Sequence, residues 1–181
     1  AVFFLARILG SLYFINNISD ADLVKRCRRA LWGNTGLFLI FFLSFVIRTL
    51  LAEGYAVNPE NGEIFMEPYK YLTNFIEMPV VLVVFLIGVL AVLWGIIRTL
   101  WKPAFDKGIW FAGVGTVLTV LALLLVAGYN NTAYYPSTAD LQSSLTLANS
   151  CSSQFTLRVM AYVSILVPFV ACIHILRMAQ H

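Results

Sequence analysis

The sequence predicts an all-α integral membrane protein: an antiparallel four-helix transmembrane bundle preceded by the end of a further helix. Three observations carry this expectation. Residues 78–97, MPVVLVVFLIGVLAVLWGII, run for twenty positions without a charge. At about 1.5 Å per residue, a helix of that length crosses a hydrocarbon core roughly 30 Å thick. Hydrophobic residues make up 60% of the chain and charged residues 12%, with a mean hydropathy of +0.84. Soluble domains carry about 25% charged residues. Finally, the basic residues gather on one side of the expected topology, while the opposite loops hold only Lys70. The net charge of +3 is too small and too localised for a nucleic-acid partner, and two histidines and three cysteines leave little material for a metal centre.

Residues 1–15 are apolar, with Arg7 in their middle. A signal peptide places its basic residues before the apolar run and ends in small residues, a pattern absent here. The segment reads as the end of a helix that begins upstream, with an amphipathic interfacial helix as the competing reading. Residues 16–29 read as a basic loop containing Lys25, Arg26, Arg28 and Arg29. Short loops rich in Lys and Arg stay cytoplasmic. Ser19 or Asp20 suits the cap of a short helix ahead of the cluster, which also suits anionic lipid.

Residues 30–52 form the first expected span, with Arg48 near its outer end. Arg48 either snorkels or pairs with Glu53 or Glu77, or it lines a polar pathway; closeness to the boundary favours the former. The outer loop that follows carries Glu53, Glu60, Glu63 and Glu67 against Lys70. Asn58-Pro59 and Asn61-Gly62 are turn signals, so a short hairpin is expected to start at Glu63-Ile64-Phe65. The acids lack the spacing of a calcium loop and read as a solvated face.

The second expected span covers residues 75–101. Glu77 reads as a first-turn carboxylate beside Pro79, which suits the first helical position; a proton acceptor at a pathway mouth is the alternative. Trp94 and Trp101 mark the far margin, and Arg98, Lys102 and Lys107 make residues 99–107 a second cytoplasmic loop. The third span, residues 108–129, shows a small-residue face of Gly113, Gly115, Thr116 and Thr119, suited to close helix packing. The second outer loop has no Lys or Arg, and its Ser, Thr and Asn content with Pro136 predicts irregular backbone. Asn130-Asn131-Thr132 matches a glycosylation acceptor, a weak signal. Ser152 or Ser153 suits the cap of the last span, residues 155–177, where Ser164 and Pro168 predict a kink. The carboxy-terminus is then cytoplasmic.

The residues offer little chemistry. His174 is the one histidine inside an expected span and His181 is terminal; a lone histidine there reads as a polar interface residue rather than a haem ligand. Met78, Met160 and Met178 read as packing residues at span ends. Cys27, Cys151 and Cys172 fall at different depths, so no disulfide is expected. No CxxC, phosphate-binding loop or nucleotide-binding glycine motif occurs. Catalytic, cofactor-binding and metal residues are expected to be absent from this chain.

Residues 136–170, PSTADLQSSLTLANSCSSQFTLRVMAYVSILVPFV, resemble the carboxy-terminal part of subunit II of cytochrome bd-type quinol oxidases. The matching positions are Pro136, Ser137, Ser144, Leu145, Thr146, Ser152, Ser153, Gln154, Thr156, Leu157, Val159 and Met160. A second match is Glu53-Gly54-Tyr55, followed by Asn74, Phe75 and Pro79. Order and helix count agree along the chain; Arg158 departs from the pattern.

The resemblance implies a multi-pass protein of the bacterial inner membrane that works in a complex transferring electrons from quinol to oxygen, forming water and a proton gradient. It places haems b and d and the quinol site in a partner, subunit I. Subunit II is then a helical scaffold beside it, in contact with membrane lipid. Acidic pathway residues of subunit II lie in an amino-terminal half that this chain lacks, so no role carries over to Arg48, Glu77 or His174. A secondary transporter fragment is the alternative, and would show broken helices or buried charges at the bilayer midplane. A purely structural membrane protein is the third.

Overall fold

The computed structural model describes residues 1–146, 158–164, 166–167 and 170. The chain runs α1 (Val2–Asn17), α2 (Ala21–Leu51), β1 (Gly54–Val57), β2 (Ile64–Glu67), α3 (Lys70–Glu77), α4 (Pro79–Trp101) and α5 (Gly108–Gly128), followed by a single 3-10 turn, Leu141–Ser143. Residues 158–164 are also helical. Among the described residues, α2, α4 and α5 are long and apolar enough to cross a membrane. The bundle therefore has a basic end, near Lys25 and Lys102, and a hairpin end, near Glu53 and Asn130. All four tryptophans, Trp32, Trp94, Trp101 and Trp110, are exposed and lie toward the basic end. Amphipathic rings collect at this depth because one edge meets headgroups while the body stays in hydrocarbon.

The expected basic loop over residues 16–29 is a correction: the chain is helical from Ala21 onward. Asp20 causes this, since its Oδ1 accepts the backbone N–H groups of Asp22 and Leu23 at 2.9 and 3.0 Å. With the first orphan donors satisfied, nothing stops the helix before Leu51. At about 46 Å, α2 exceeds the hydrocarbon thickness, so the turns bearing Lys25 to Arg29 project beyond it.

The expected span over residues 75–101 is likewise divided. Pro79 disfavours helical backbone at the residue before it, and Met78 adopts φ −113° and ψ 70°. Asn74 and Phe75 thus belong to α3, a short helix lying outside α4, and Pro79 occupies the start of α4. Glu77 ends α3 instead of opening α4. Arg48 sits in the last turn of α2, where its charge suits the helix dipole, and pairs with neither Glu53 nor Glu77. Among the described residues the single ion pair is Glu67–Lys70, at 3.2 Å.

Two apolar clusters hold the helices. Ile8, Leu12 and Ile15 of α1 pack with Leu31 and Phe38 of α2 and with Val92, Ile96 and Ala112 of α4 and α5. Toward the hairpin end, Phe75, Phe85, Ala122 and Val126 form the second. The most extensive pairing is α4 with α5, and it is a seam of small residues. Gly88 and Gly95 of α4 face Gly108, Ala112, Gly115 and Thr119 of α5 at seven-residue spacings. A Cβ on Gly95 would stand 2.6 Å from the carbonyl oxygen of Gly108, and one on Gly115 would stand 2.5 Å from that of Gly88. The expected small-residue face is therefore redrawn: Gly115 and Thr119 lie in the seam, whereas a Cβ on Gly113 would meet nothing within 4 Å.

Candidate functional site

Two polar clusters and one apolar cavity are the candidates. The first cluster closes the hairpin end. β1 and β2 pair antiparallel from Gly54↔Glu67 to Val57↔Ile64, and Asn58, Asn61 and Gly62 build the turn between them. The second connecting segment flanks this hairpin on both sides. Residues 131–133 run beside β1, with Val57 N–H donating to Asn131 O and Ala133 N–H to Tyr55 O, both at 2.8 Å. On the far edge, the Gln142 amide accepts from Ile64 N–H and donates to Ile64 O, both at 3.0 Å, in place of a third strand. An edge strand otherwise leaves these backbone groups unpaired. Gln142→Ala is expected to cost about 1–2 kcal/mol locally and to speed hydrogen exchange at the Ile64 amide, with little effect inside α4.

Asn74 is the centre of this end. It is fully buried. Its Nδ2 donates to Val126 O and to Thr132 Oγ1, both at 2.9 Å, and its Oδ1 accepts from Asn130 Nδ2 at 3.0 Å. Asn130 Nδ2 also donates to the Glu77 carboxylate. Asn130 and Asn131 take left-handed backbone, with φ of 59° and 53°, which asparagine tolerates better than other side chains bearing a Cβ. Phe75 packs its ring 5.3 Å from that of Phe85. Thr132, read as part of a glycosylation tripeptide, is buried and donates to Asn130 O. Burial, and secondarily Tyr55, pushes the Tyr71 hydroxyl pKa up in this layer.

The motif residues of the second connection also meet. Ser144 is buried and its Oγ accepts the Ser137 N–H at 3.0 Å, while Tyr135 and Leu145 pair as a β-bridge around exposed Pro136. Asp140 accepts from Ser143 Oγ at 2.6 Å and from Gln142 N–H at 3.2 Å, and these bonds hold its carboxyl below the usual range. Ser152, Ser153 and Thr156, with Cys151, Cys172, Pro168, Met178, His174 and His181, lie outside the described residues. Met160 is exposed on the helical stretch 158–164.

The second cluster is at the basic end. Arg28 directs its guanidinium at three carbonyl oxygens: Thr99 in the last turn of α4, and Pro103 at 2.7 Å and Phe105 at 3.4 Å in the α4–α5 connection. The last turn of a helix leaves carbonyls unpaired, and a cation there is favoured twice, by hydrogen bonding and by the dipole. Arg98 stacks on Trp94, 5.3 Å from the ring centroid. Nothing in the sequence pairs Arg28 with a loop more than seventy residues on.

Between the clusters lies an apolar cavity of about 380 Å³, walled by α1, α2, α4 and α5. Phe38, Phe42 and Phe45 form one side and Val89, Val92 and Leu123 the other. Its polar groups are the hydroxyls of Thr116 and Thr119, which donate to the carbonyls four residues earlier at 2.7 and 2.8 Å. Among the described residues, the wall carries no histidine, cysteine, methionine or charged side chain. One other buried polar residue, Asn34, shares a helix face with Leu31 and Phe38, and its side chain makes no hydrogen bond to a described residue.

Comparison with known proteins completes the description. The sequence profile described as cytochrome bd terminal oxidase subunit II matches residues 1–178. The chain is 27% identical over 173 residues to the cytochrome bd-I ubiquinol oxidase subunit 2 of Escherichia coli strain K12, covering 94% of this chain and 44% of the relative. Proteins of the same name from Escherichia coli O6:H1 and O157:H7 match to the same extent. The chain thus spans less than half the length of the curated relatives it matches.

Proposed function

This chain belongs to the cytochrome bd terminal oxidase subunit II family, and from that premise we propose that it is part of a bacterial quinol:oxygen oxidoreductase, as the non-haem subunit that supports a haem-bearing subunit I. The complex reduces oxygen to water with electrons from quinol and contributes to a proton gradient; haems b and d reside in the partner. The helices form a four-span bundle in the inner membrane, with the basic end and the carboxy-terminus in the cytoplasm, as the distribution of Lys and Arg favours. The match over residues 1–178 carries this reading. The way the polar residues are used supports a scaffold role. The hydrogen bonds of Asn74, Thr99, Thr119, Thr132 and Ser144 close helix ends, connections or turns of helix, and none of these side chains is titratable.

Purification of the full-length parent protein from detergent-solubilised membranes tests this. A larger haem-bearing partner is expected to co-purify, visible in the absorption spectrum, with quinol-dependent oxygen uptake. A colourless product without such a partner would overturn the reading.

A further inference from the structure

We propose that the basic end carries a binding site for an anionic phospholipid headgroup, assembled from two distant stretches of chain by Arg28. Residues 25–29 and 98–107 hold seven cations against one carboxylate, Asp106. In the sequence these are separate clusters. In the structure Arg28 draws the α4–α5 connection onto the first turns of α2 by donating to Pro103 O at 2.7 Å, to Phe105 O at 3.4 Å and to Thr99 O. Its own charge is thereby committed to carbonyl oxygens.

The cations around it are not committed. Lys25 stands one turn before Arg28 on the same face of α2, Lys102 immediately precedes Pro103, and Lys107 closes the connection. All three are exposed, and none makes an ion pair or side-chain hydrogen bond to a described residue. Trp101 and Trp110, 74% and 65% exposed, flank the connection at the ends of α4 and α5. Indole rings at that depth place the ammonium groups in the headgroup layer, level with a phosphate diester whose acyl chains lie along the exposed apolar faces of the spans. The neighbouring carboxylates, Asp20 capping α2, Asp22 in its first turn and Asp106 in the α4–α5 connection, are three against the seven cations and leave the site positive. A phosphate met by cations from two elements gains more than one met by a single helix, because the charges converge without loss of side-chain freedom along one flexible run.

General attraction of basic loops to an anionic leaflet depends on charge alone, whereas this site depends on the clasp. The test is therefore a substitution that keeps the charge. Full-length parent protein is reconstituted in nanodiscs of equal phosphatidylglycerol and phosphatidylcholine, washed into detergent, and its retained lipids counted by native mass spectrometry. The parent is expected to retain phosphatidylglycerol selectively. Arg28→Lys, which cannot span three carbonyls, is expected to lower that retention several-fold at unchanged net charge. Lys25→Gln with Lys102→Gln breaks no hydrogen bond seen here and keeps the test open if Arg28→Lys fails to fold; it is expected to lower retention about tenfold. Arg48→Gln, at the opposite end of α2, is expected to leave it unchanged. Retention by a folded Arg28→Lys equal to the parent's, an equal loss from Arg48→Gln, or a parallel loss of phosphatidylcholine would each overturn the proposal, as would full retention by the double variant.

Discussion

Replacing Gly115 with leucine is expected to separate α4 from α5 and to destabilise the folded protein by about 3 kcal/mol or more. A Cβ at this position meets the Gly88 carbonyl oxygen at 2.5 Å and the Val92 nitrogen at 2.7 Å. Both are backbone atoms inside a helix, so no side-chain rotation relieves the clash and the helices themselves must move. In lipid there is little hydrophobic drive to hold them together once moved, because hydrocarbon solvates the exposed faces as well as a partner helix does. Close van der Waals contact is then the principal attraction, and it falls away steeply with separation. Gly95→Leu is expected to act alike, through the Gly108 carbonyl oxygen at 2.6 Å. Gly113→Leu is the control: it faces open space and is expected to be neutral or slightly stabilising, since glycine inside a helix costs about 0.5–1 kcal/mol relative to alanine. Denaturant unfolding of the purified protein in mixed micelles, followed by circular dichroism, checks all three. Equal stability of the Gly113 and Gly115 variants would rule out the seam.

Asn74→Leu is expected to have the second largest effect, about 2–3 kcal/mol, felt first at the hairpin end. The amide is fully buried and joins three separate pieces: its own helix α3, the end of α5 through Val126 O, and the following turn through Asn130 and Thr132. Leucine keeps the branched outline, is somewhat larger, and removes every one of these bonds, leaving the Val126 carbonyl and the Thr132 hydroxyl buried with fewer partners. Asn130→Ala is expected to cost less, because Asn130 is only partly buried and its partner Glu77 can turn to water. Loss of the clasp is expected to raise proteolysis within the hairpin-end segments before the long helices unfold, a difference readable by limited digestion against whole-protein unfolding. Simultaneous loss of both would show that the hairpin end has no independent role.

The spans were legible because their signal is long. Twenty uncharged residues ahead of Arg98 outweigh any local exception, and α5 falls within one residue of its expected end. The turn dipeptides Asn58-Pro59 and Asn61-Gly62 likewise announced the hairpin's turn, although the hairpin starts earlier than expected, at Gly54, and Ile64-Phe65 belongs to its second strand. Errors arose where one residue decides a boundary. Hydropathy averages over Met78 and Pro79, and so merged α3 with α4, although proline's effect on its neighbour could have been applied one residue earlier. Charge counting treated Lys25 to Arg29 as loop, and Asp20, offered with Ser19 as the cap of a short helix, in fact caps one that runs on to Leu51. The small-residue stripe was found, but its azimuth was set wrongly: Gly113 and Gly115 are about 200° apart around the helix, and only contact with α4 says which one is covered.

By itself the sequence determined that this is a multi-pass membrane protein, where its charges lie, and through the motifs of its connecting segments the family to which it belongs. These follow from composition and period, which act residue by residue along the chain. The tertiary structure decided which side chains meet: Arg28 with the α4–α5 connection, Asn74 with Asn130 and Thr132, Gln142 with Ile64, and Gly115 with Gly88. Each joins partners at least twenty-five residues apart. A hydrogen bond or a backbone contact depends on ångström-scale distance and direction, and a linear pattern of polarity carries neither.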